Sequence, residues 1–307
     1  MIRNVQPVKG LSVSDAAPQS QTSVEVASQP EVWEWAVAHT RDSAGLPAKG
    51  ERVAVVGCGT SWFMAQSYAA LREAAGHGVT DAFTASEFPA GRSYDRLVTI
   101  SRSGTTTEIV QLLSATAIPS VLLTAVGEGP AAAHADHEIV LDRADESSVV
   151  QTRFASTVLL VLRASLGEDL AAAVADARTA LAAPIEADWV AADQISFLGT
   201  GWTIGLAHEA ALKLRESSQS WTESYPAMEY RHGPISIAQP GRVVWVFGQP
   251  PTGLAEDVRA TGADLATSDL DPLAHLVLLH RLAVARAEER NLNPDTPRHL
   301  ARAVILD

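Results

Sequence analysis

Short, unbroken apolar runs alternate along this chain with longer stretches of helical composition. Arg52–Gly57 (RVAVVG) is continuous and rich in β-branched residues, as a strand buried on both faces of a parallel sheet would be. Val79–Thr84, Arg96–Ile100, Ser120–Ala125 and Glu138–Leu141 read as four more strands, which predicts a five-stranded parallel sheet. Helices are predicted over Pro30–Ala44, Trp62–Ala75, Ile109–Ala115 and Glu168–Ala182, with another opened by Glu146-Ser147-Ser148 and running to about Leu166.

After a boundary at Pro184–Ala192 the pattern restarts. Gln194–Leu198 reads as a strand, Gly199-Thr200-Gly201 as a loop, and Leu206–Ser218 as a helix free of Gly and Pro apart from its preceding turn. Strands follow at Trp221–Tyr225, Arg242–Phe247 and Asp264–Thr267, with a helix at Leu254–Thr261. The helix Pro272–Arg290 is apolar nearly all round and is expected at an interface. The same strand, Gly/Thr loop and helix recur about 140 residues apart, which favours an internal duplication. The expected fold class is α/β with two doubly wound, flavodoxin-like domains over 23–183 and 190–307, each a parallel sheet flanked by helices. Residues 1–22 show no period and read as a flexible leader; the Pro-rich tail Asn293–Arg302 reads as extended.

Composition narrows the function. With 47% hydrophobic and 19% charged residues, the 307-residue chain can bury an ordinary globular core. A net charge of −13 argues against nucleic-acid partners but leaves small anions possible, since these need only a local nest of donors. The single cysteine, Cys58, excludes an intramolecular disulfide and suits a reducing compartment. No apolar run approaches 18 residues, so a cytoplasmic protein without membrane contact is expected. The only lysines are Lys9, Lys49 and Lys213.

Two loops have the composition of anion sites. Gly57-Cys58-Gly59-Thr60-Ser61 joins a strand to a helix, an arrangement that aims N–H groups at an anion. It lacks the dinucleotide fingerprint, because Trp62 stands at the third glycine position, and it also fits an ordinary βα turn. Ser101-Arg102-Ser103-Gly104-Thr105-Thr106-Thr107-Glu108 follows the next strand and offers hydroxyls plus a helix N-terminus; an unoccupied hydroxyl-rich cap is the plainer alternative. In the second half, Lys213 and Glu216 share a helix face, and His232 precedes a Gly-Pro turn. Lysine, carboxylate and imidazole form a kit for moving protons on a sugar, although the pair also reads as an exposed ion pair. His134 and His137 lack the spacing of a metal site, and no metal or other cofactor is expected.

Several motifs in order resemble the tandem sugar-isomerase (SIS) domain family. These are Cys58-Gly59-Thr60-Ser61, Ser86-Glu87-Phe88, Ser101-x-Ser103-Gly104-x-Thr106, Glu146–Thr152, Ala211-Leu212-Lys213-Leu214-x-Glu216, Glu229-x-x-His232-Gly233-Pro234 and Asn293-Pro294-Asp295-x-Pro297. The chain is similar to the isomerase half of glucosamine-6-phosphate synthase and to stand-alone SIS deaminases and isomerases of amino-sugar phosphates. The resemblance implies that Ser101, Ser103 and Thr106 clamp a phosphate, with Arg102 in place of a family glutamine. It implies that Gly59, Thr60, Ser61 and Gln151 contact the sugar phosphate, and that Gln151 replaces a serine. Glu216 would shuttle a proton between C1 and C2, Lys213 would stand beside it, and His232 would open the ring from the neighbouring subunit of a homodimer. Arg302 occupies the place of a Schiff-base lysine and, staying protonated, cannot form that imine; hydrogen bonds to the substrate are its expected role. No counterpart of the glutaminase half is present, so use of glutamine is not expected. The implied function is isomerisation or deamination of a 6-phosphorylated aminosugar or ketose. A non-catalytic sugar-phosphate sensor and a fructosamine-6-phosphate deglycase are the alternatives.

Overall fold

The structure, a computed structural model, describes residues 19–41 and 43–306. Strands β1 (Val53–Gly57), β2 (Thr80–Thr84), β3 (Arg96–Ile100), β4 (Ser120–Thr124) and β5 (His137–Val140) form one parallel sheet in the order β2-β1-β3-β4-β5. Strands β6 (Gln194–Gly199), β7 (Thr222–Pro226), β8 (Arg242–Phe247) and β9 (Asp264–Ala266) form a second, β7-β6-β8-β9. Every pairing is parallel, and the second sheet repeats the order of the first four strands of the other. Within each sheet the order reverses beside the first strand, the place where open α/β sheets bind ligands.

The helices are α1 (Gln21–Ala27), α2 (Gln29–His39), α3 (Thr60–Ala74), α4 (Thr107–Ala115), α5 (Arg153–Ser165), α6 (Ala171–Ala182), α7 (Ala187–Ala191), α8 (Thr203–Ser218), α9 (Leu254–Ala260) and α10 (Pro272–Glu289). Most of the expected leader lies outside the described residues, but Gln21 and Thr22, assigned to it, belong to α1 instead. The Asp295 carboxylate fixes them there: it accepts from the Gln21 N–H at 3.0 Å, the Thr22 N–H at 2.8 Å and the Thr22 hydroxyl at 2.7 Å. Helix α10 is buried within the chain, packed on α6 and α8, so its all-round apolar pattern serves an internal layer.

Helices α3 and α8 cross closely. A Cβ built at Gly205 would lie 2.3 Å from the Phe63 carbonyl oxygen and the Ser67 hydroxyl, so this crossing requires glycine. One apolar core runs through both halves: Val55, Tyr68, Phe154 and Leu159 join Phe197, Leu206, Trp245 and Leu279 in one cluster. The expected boundary at 184–192 is therefore a crossing of the chain rather than a break in the core, and it contains α7.

Candidate active site

Each end of the candidate site is set by a strand that stops at a loop. β3 ends at Ile100, and Ser101, Arg102 and Ser103, which begin the loop after it, are all buried. The Ser101 hydroxyl lies 3.4 Å from the Thr106 hydroxyl, and Ser103 accepts from the Thr105 N–H at 3.2 Å and the Thr105 hydroxyl at 2.9 Å. Thr106 holds the N-cap of α4 but makes no capping bond with its side chain, so the turn presents hydroxyls beside a helix N-terminus. Gly59 holds the N-cap of α3, with Thr60 and Ser61 buried in its first turn.

Arg102 stands apart from this set. Its guanidinium donates to the Ser148 carbonyl at 2.9 Å, the Val149 carbonyl at 3.1 Å and the Arg302 carbonyl at 3.1 Å, with the Glu146 carboxylate 3.8 Å away. Its Nη atoms donate to backbone oxygens, and it braces the loop from behind. Arg302 is likewise engaged, donating to the Glu146 carbonyl and the Asp145 carboxylate, which ties the tail to the start of α5. Gln151 is half-buried, and its side-chain oxygen has no hydrogen-bond partner among the described residues.

Glu146 is an element-building carboxylate. It accepts from the Thr152 N–H (2.7 Å), Thr152 hydroxyl (2.8 Å), Arg153 N–H (2.7 Å) and Phe154 N–H (3.2 Å), capping α5 from six residues upstream. The tail then crosses the phosphate-loop region. Val304 accepts the Thr107 N–H at 3.1 Å, and the Leu306 N–H donates to the Thr107 hydroxyl at 2.9 Å.

The proton-moving groups lie on α8. Lys213 donates to Glu216 at 2.5 Å, and its ammonium lies 3.6 Å from Glu209. The side chains of Lys213 and Glu209 are 1% and 0% exposed, so the reading as a surface ion pair does not hold. Glu216 is 17% exposed and forms part of the wall of an open cavity of about 420 Å³. Burial alone would lower the Lys213 pKa, but Glu209 and Glu216 outweigh it and hold the ammonium above its ordinary value. Burial pushes Glu209 up to about 7, against the pull of Lys213 and with the push of Glu216. Neither Glu209 oxygen has a hydrogen-bond partner among the described residues. Sequence reasoning missed Glu209, although its spacing of four residues before Lys213 was a usable signal. His232 stands exposed on a 3-10 turn, Glu229–His232, with no hydrogen-bond partner among the described residues. His134 and His137 are both exposed, and no cluster of metal-ligating side chains occurs among the described residues.

Residues 48–165 match the family model described as SIS domain. The match is single, and a tandem pair is not shown by it. Over 139 residues the chain is 35% identical to a glutamine–fructose-6-phosphate aminotransferase (isomerizing) of Pyrobaculum aerophilum, an alignment covering 36% of this chain and 23% of that one. In the longer alignments the chain spans about half the length of the curated relatives it matches. A glucosamine-6-phosphate deaminase of Thermotoga maritima shares the fold with a TM-score of 0.80 at 22% identity, covering 94% of this chain and all of that one. The C-terminal domain of a glucosamine-fructose-6-phosphate aminotransferase of Francisella tularensis does so with 0.79 at 21% identity, covering 92% and 99%. Among the described residues no helix is long and apolar enough to cross a membrane.

Proposed function

We propose that this protein is a phosphosugar isomerase or deaminase acting on a 6-phosphorylated aminosugar or ketose. The observation that carries this reading is the Lys213–Glu216 pair, buried on one side and opening on a cavity on the other. A carboxylate held against an ammonium stays ionised and can take the proton from C1 or C2 of an open-chain sugar and return it to the neighbouring carbon. Ser101, Ser103 and Thr106, with the N-terminus of α4, would hold the phosphate and so orient those carbons. In this reading both halves, 23–183 and 190–307, are SIS domains, supported by the repeated strand order, and the protein works as a cytoplasmic homodimer in which His232 reaches the partner's site. Arg302, fixed to Asp145 and the Glu146 carbonyl, holds the tail rather than forming an imine.

The test is thermal stabilisation by hexose and hexosamine 6-phosphates against their unphosphorylated counterparts, followed by turnover. Stabilisation by the phosphates alone is expected, and Glu216→Gln should keep that binding while lowering kcat by about 10²–10⁴-fold. Equal stabilisation by unphosphorylated sugars, or full turnover by Glu216→Gln, would overturn the assignment.

A further inference from the structure

The imidazole of His232 is exposed and has no hydrogen-bond partner among the described residues, so its place is inherited from the turn that carries it. That turn, Glu229–His232, is a short 3-10 element without a side-chain cap. Gly233 follows at a φ of 138°, a conformation open to glycine and strained for other residues. Three residues complete a 3-10 turn, so Tyr230, Arg231 and His232 leave it in directions about 120° apart. Tyr230 is buried in a cluster with Leu198, Val246 and Leu254. Arg231 reaches sideways to α9, and His232 takes the direction left, toward solvent.

The Arg231 side chain is held from three segments of the chain. Its Nε donates to the Asp257 carboxylate of α9 at 2.7 Å. One Nη donates to the Thr252 carbonyl, between β8 and α9, at 2.9 Å, and the other lies 3.6 Å from the Met228 sulfur. Gly253 leaves room for this fork: a Cβ there would stand 3.0 Å from Nη2, and its φ of 80° also suits glycine. The pair adds little to stability, because the side chains of Arg231 and Asp257 are 24% and 49% exposed. What the bonds fix is direction, since a planar guanidinium engaged at two edges cannot swing freely. A lysine would keep the attraction to Asp257 and lose the angle. Within Glu229-x-x-His232-Gly233-Pro234, position 231 is one that the motif leaves open.

We infer that Arg231, held by Asp257, is a positioning residue that aims His232 at the ring of the sugar phosphate. This inference rests on the phosphosugar reading above, in which His232 opens that ring in the neighbouring subunit. For a ketofuranose, the proton leaves the C2 hydroxyl and reaches the ring oxygen as the bond between C2 and that oxygen breaks. The open ketone that results is the form on which Glu216 works. Proton transfer of this kind needs the imidazole within about 3 Å of those oxygens. An offset of about 1 Å costs on the order of 10²-fold in rate. An exposed imidazole without a partner of its own does not hold that tolerance; the clamp on the preceding residue supplies it. Arg231 itself touches no substrate and moves no proton.

The test follows loss of a C1 proton into D2O, by NMR, for fructose 6-phosphate and for 5-deoxyfructose 6-phosphate. The second lacks the oxygen that closes the ring and is always open, so its exchange needs Glu216 but no ring opening. Arg231→Gln is expected to slow exchange of fructose 6-phosphate by about 10–100-fold and to leave 5-deoxyfructose 6-phosphate at the wild-type rate. Asp257→Asn should show the same selectivity with a smaller loss, and Arg231→Lys should not restore the wild-type ratio of the two rates. Glu216→Gln should slow both ketoses. Equal slowing of both by Arg231→Gln would mark a general structural role and overturn the inference, and so would no slowing of either. Both results leave the phosphosugar reading standing. A wild-type protein that exchanges neither ketose would defeat that reading, and this inference with it.

Discussion

Glu209, Lys213 and Glu216 occupy successive turns of α8, and burial decides how each behaves. Two histidines of α10 are buried as well: burial holds both His275 and His280 down to about 3, with Lys213 adding to the effect at His280. These groups act on stability in opposite directions. Glu209 keeps its proton up to about pH 7 when folded but only to 4.5 when unfolded, so it favours folding as pH falls through that window. The histidines stay neutral when folded but take up protons below 6.5 when unfolded, so they oppose folding as pH falls. Glu209→Gln removes the offsetting contribution. Urea unfolding between pH 6.5 and 4.5 should therefore show a loss of stability steeper by about 1.4 kcal/mol per pH unit than wild type. An unchanged slope would mean that Glu209 does not hold its proton. The sequence placed Lys213 and Glu216 on one face correctly. It did not reveal the burial of Glu209: the spacing of four to Lys213 pointed to a pair, but nothing in His208-Glu209-Ala210 distinguishes a fully buried carboxylate from a solvated one.

Among the elements, the strands were the most legible, each being a compact run; β3 and β8 have the residues expected, and the others shift by a single residue at one end or both. Helix α1 was not legible. It has seven residues, only Val24 and Val26 are large and apolar, and its N-terminus is held by Asp295 from the far end of the chain. The same kind of long-range tie holds Arg302, whose partners, Asp145 and Glu146, are more than 150 residues away and were not legible in the sequence. The tail beyond it exposes Val304, Ile305 and Leu306, so little burial holds it in place. Arg302→Ala should cost no more than about 1 kcal/mol of global stability, as for other partly exposed pairs. It should nevertheless speed hydrogen exchange at Leu306 and Thr107, whose contacts to each other depend on the tail. Exchange as slow as in wild type would show that Arg302 does not hold the tail.

At the scale of the whole molecule, the proposed reading shares the site between two chains: His232 is exposed and does not line the cavity beside Glu216, where the imidazole present is that of His299. Mixing Glu216→Gln with His232→Ala should restore part of the activity once subunits have exchanged, because one of the two sites in a mixed dimer is intact. No recovery after verified exchange would place both residues in one chain's site. The two halves are joined by more than their sequence resemblance suggested. Phe154 and Leu159 of α5 share a core with Leu206 of α8 and Leu279 of α10. During synthesis that face of α5 leaves the ribosome well before its cover, and α10 emerges about 120 residues later. At roughly 5–20 residues per second, the first half waits on the order of 6–24 s with apolar surface open to water and to other nascent chains. For that interval its solubility depends on the cell's holding factors rather than on its own fold.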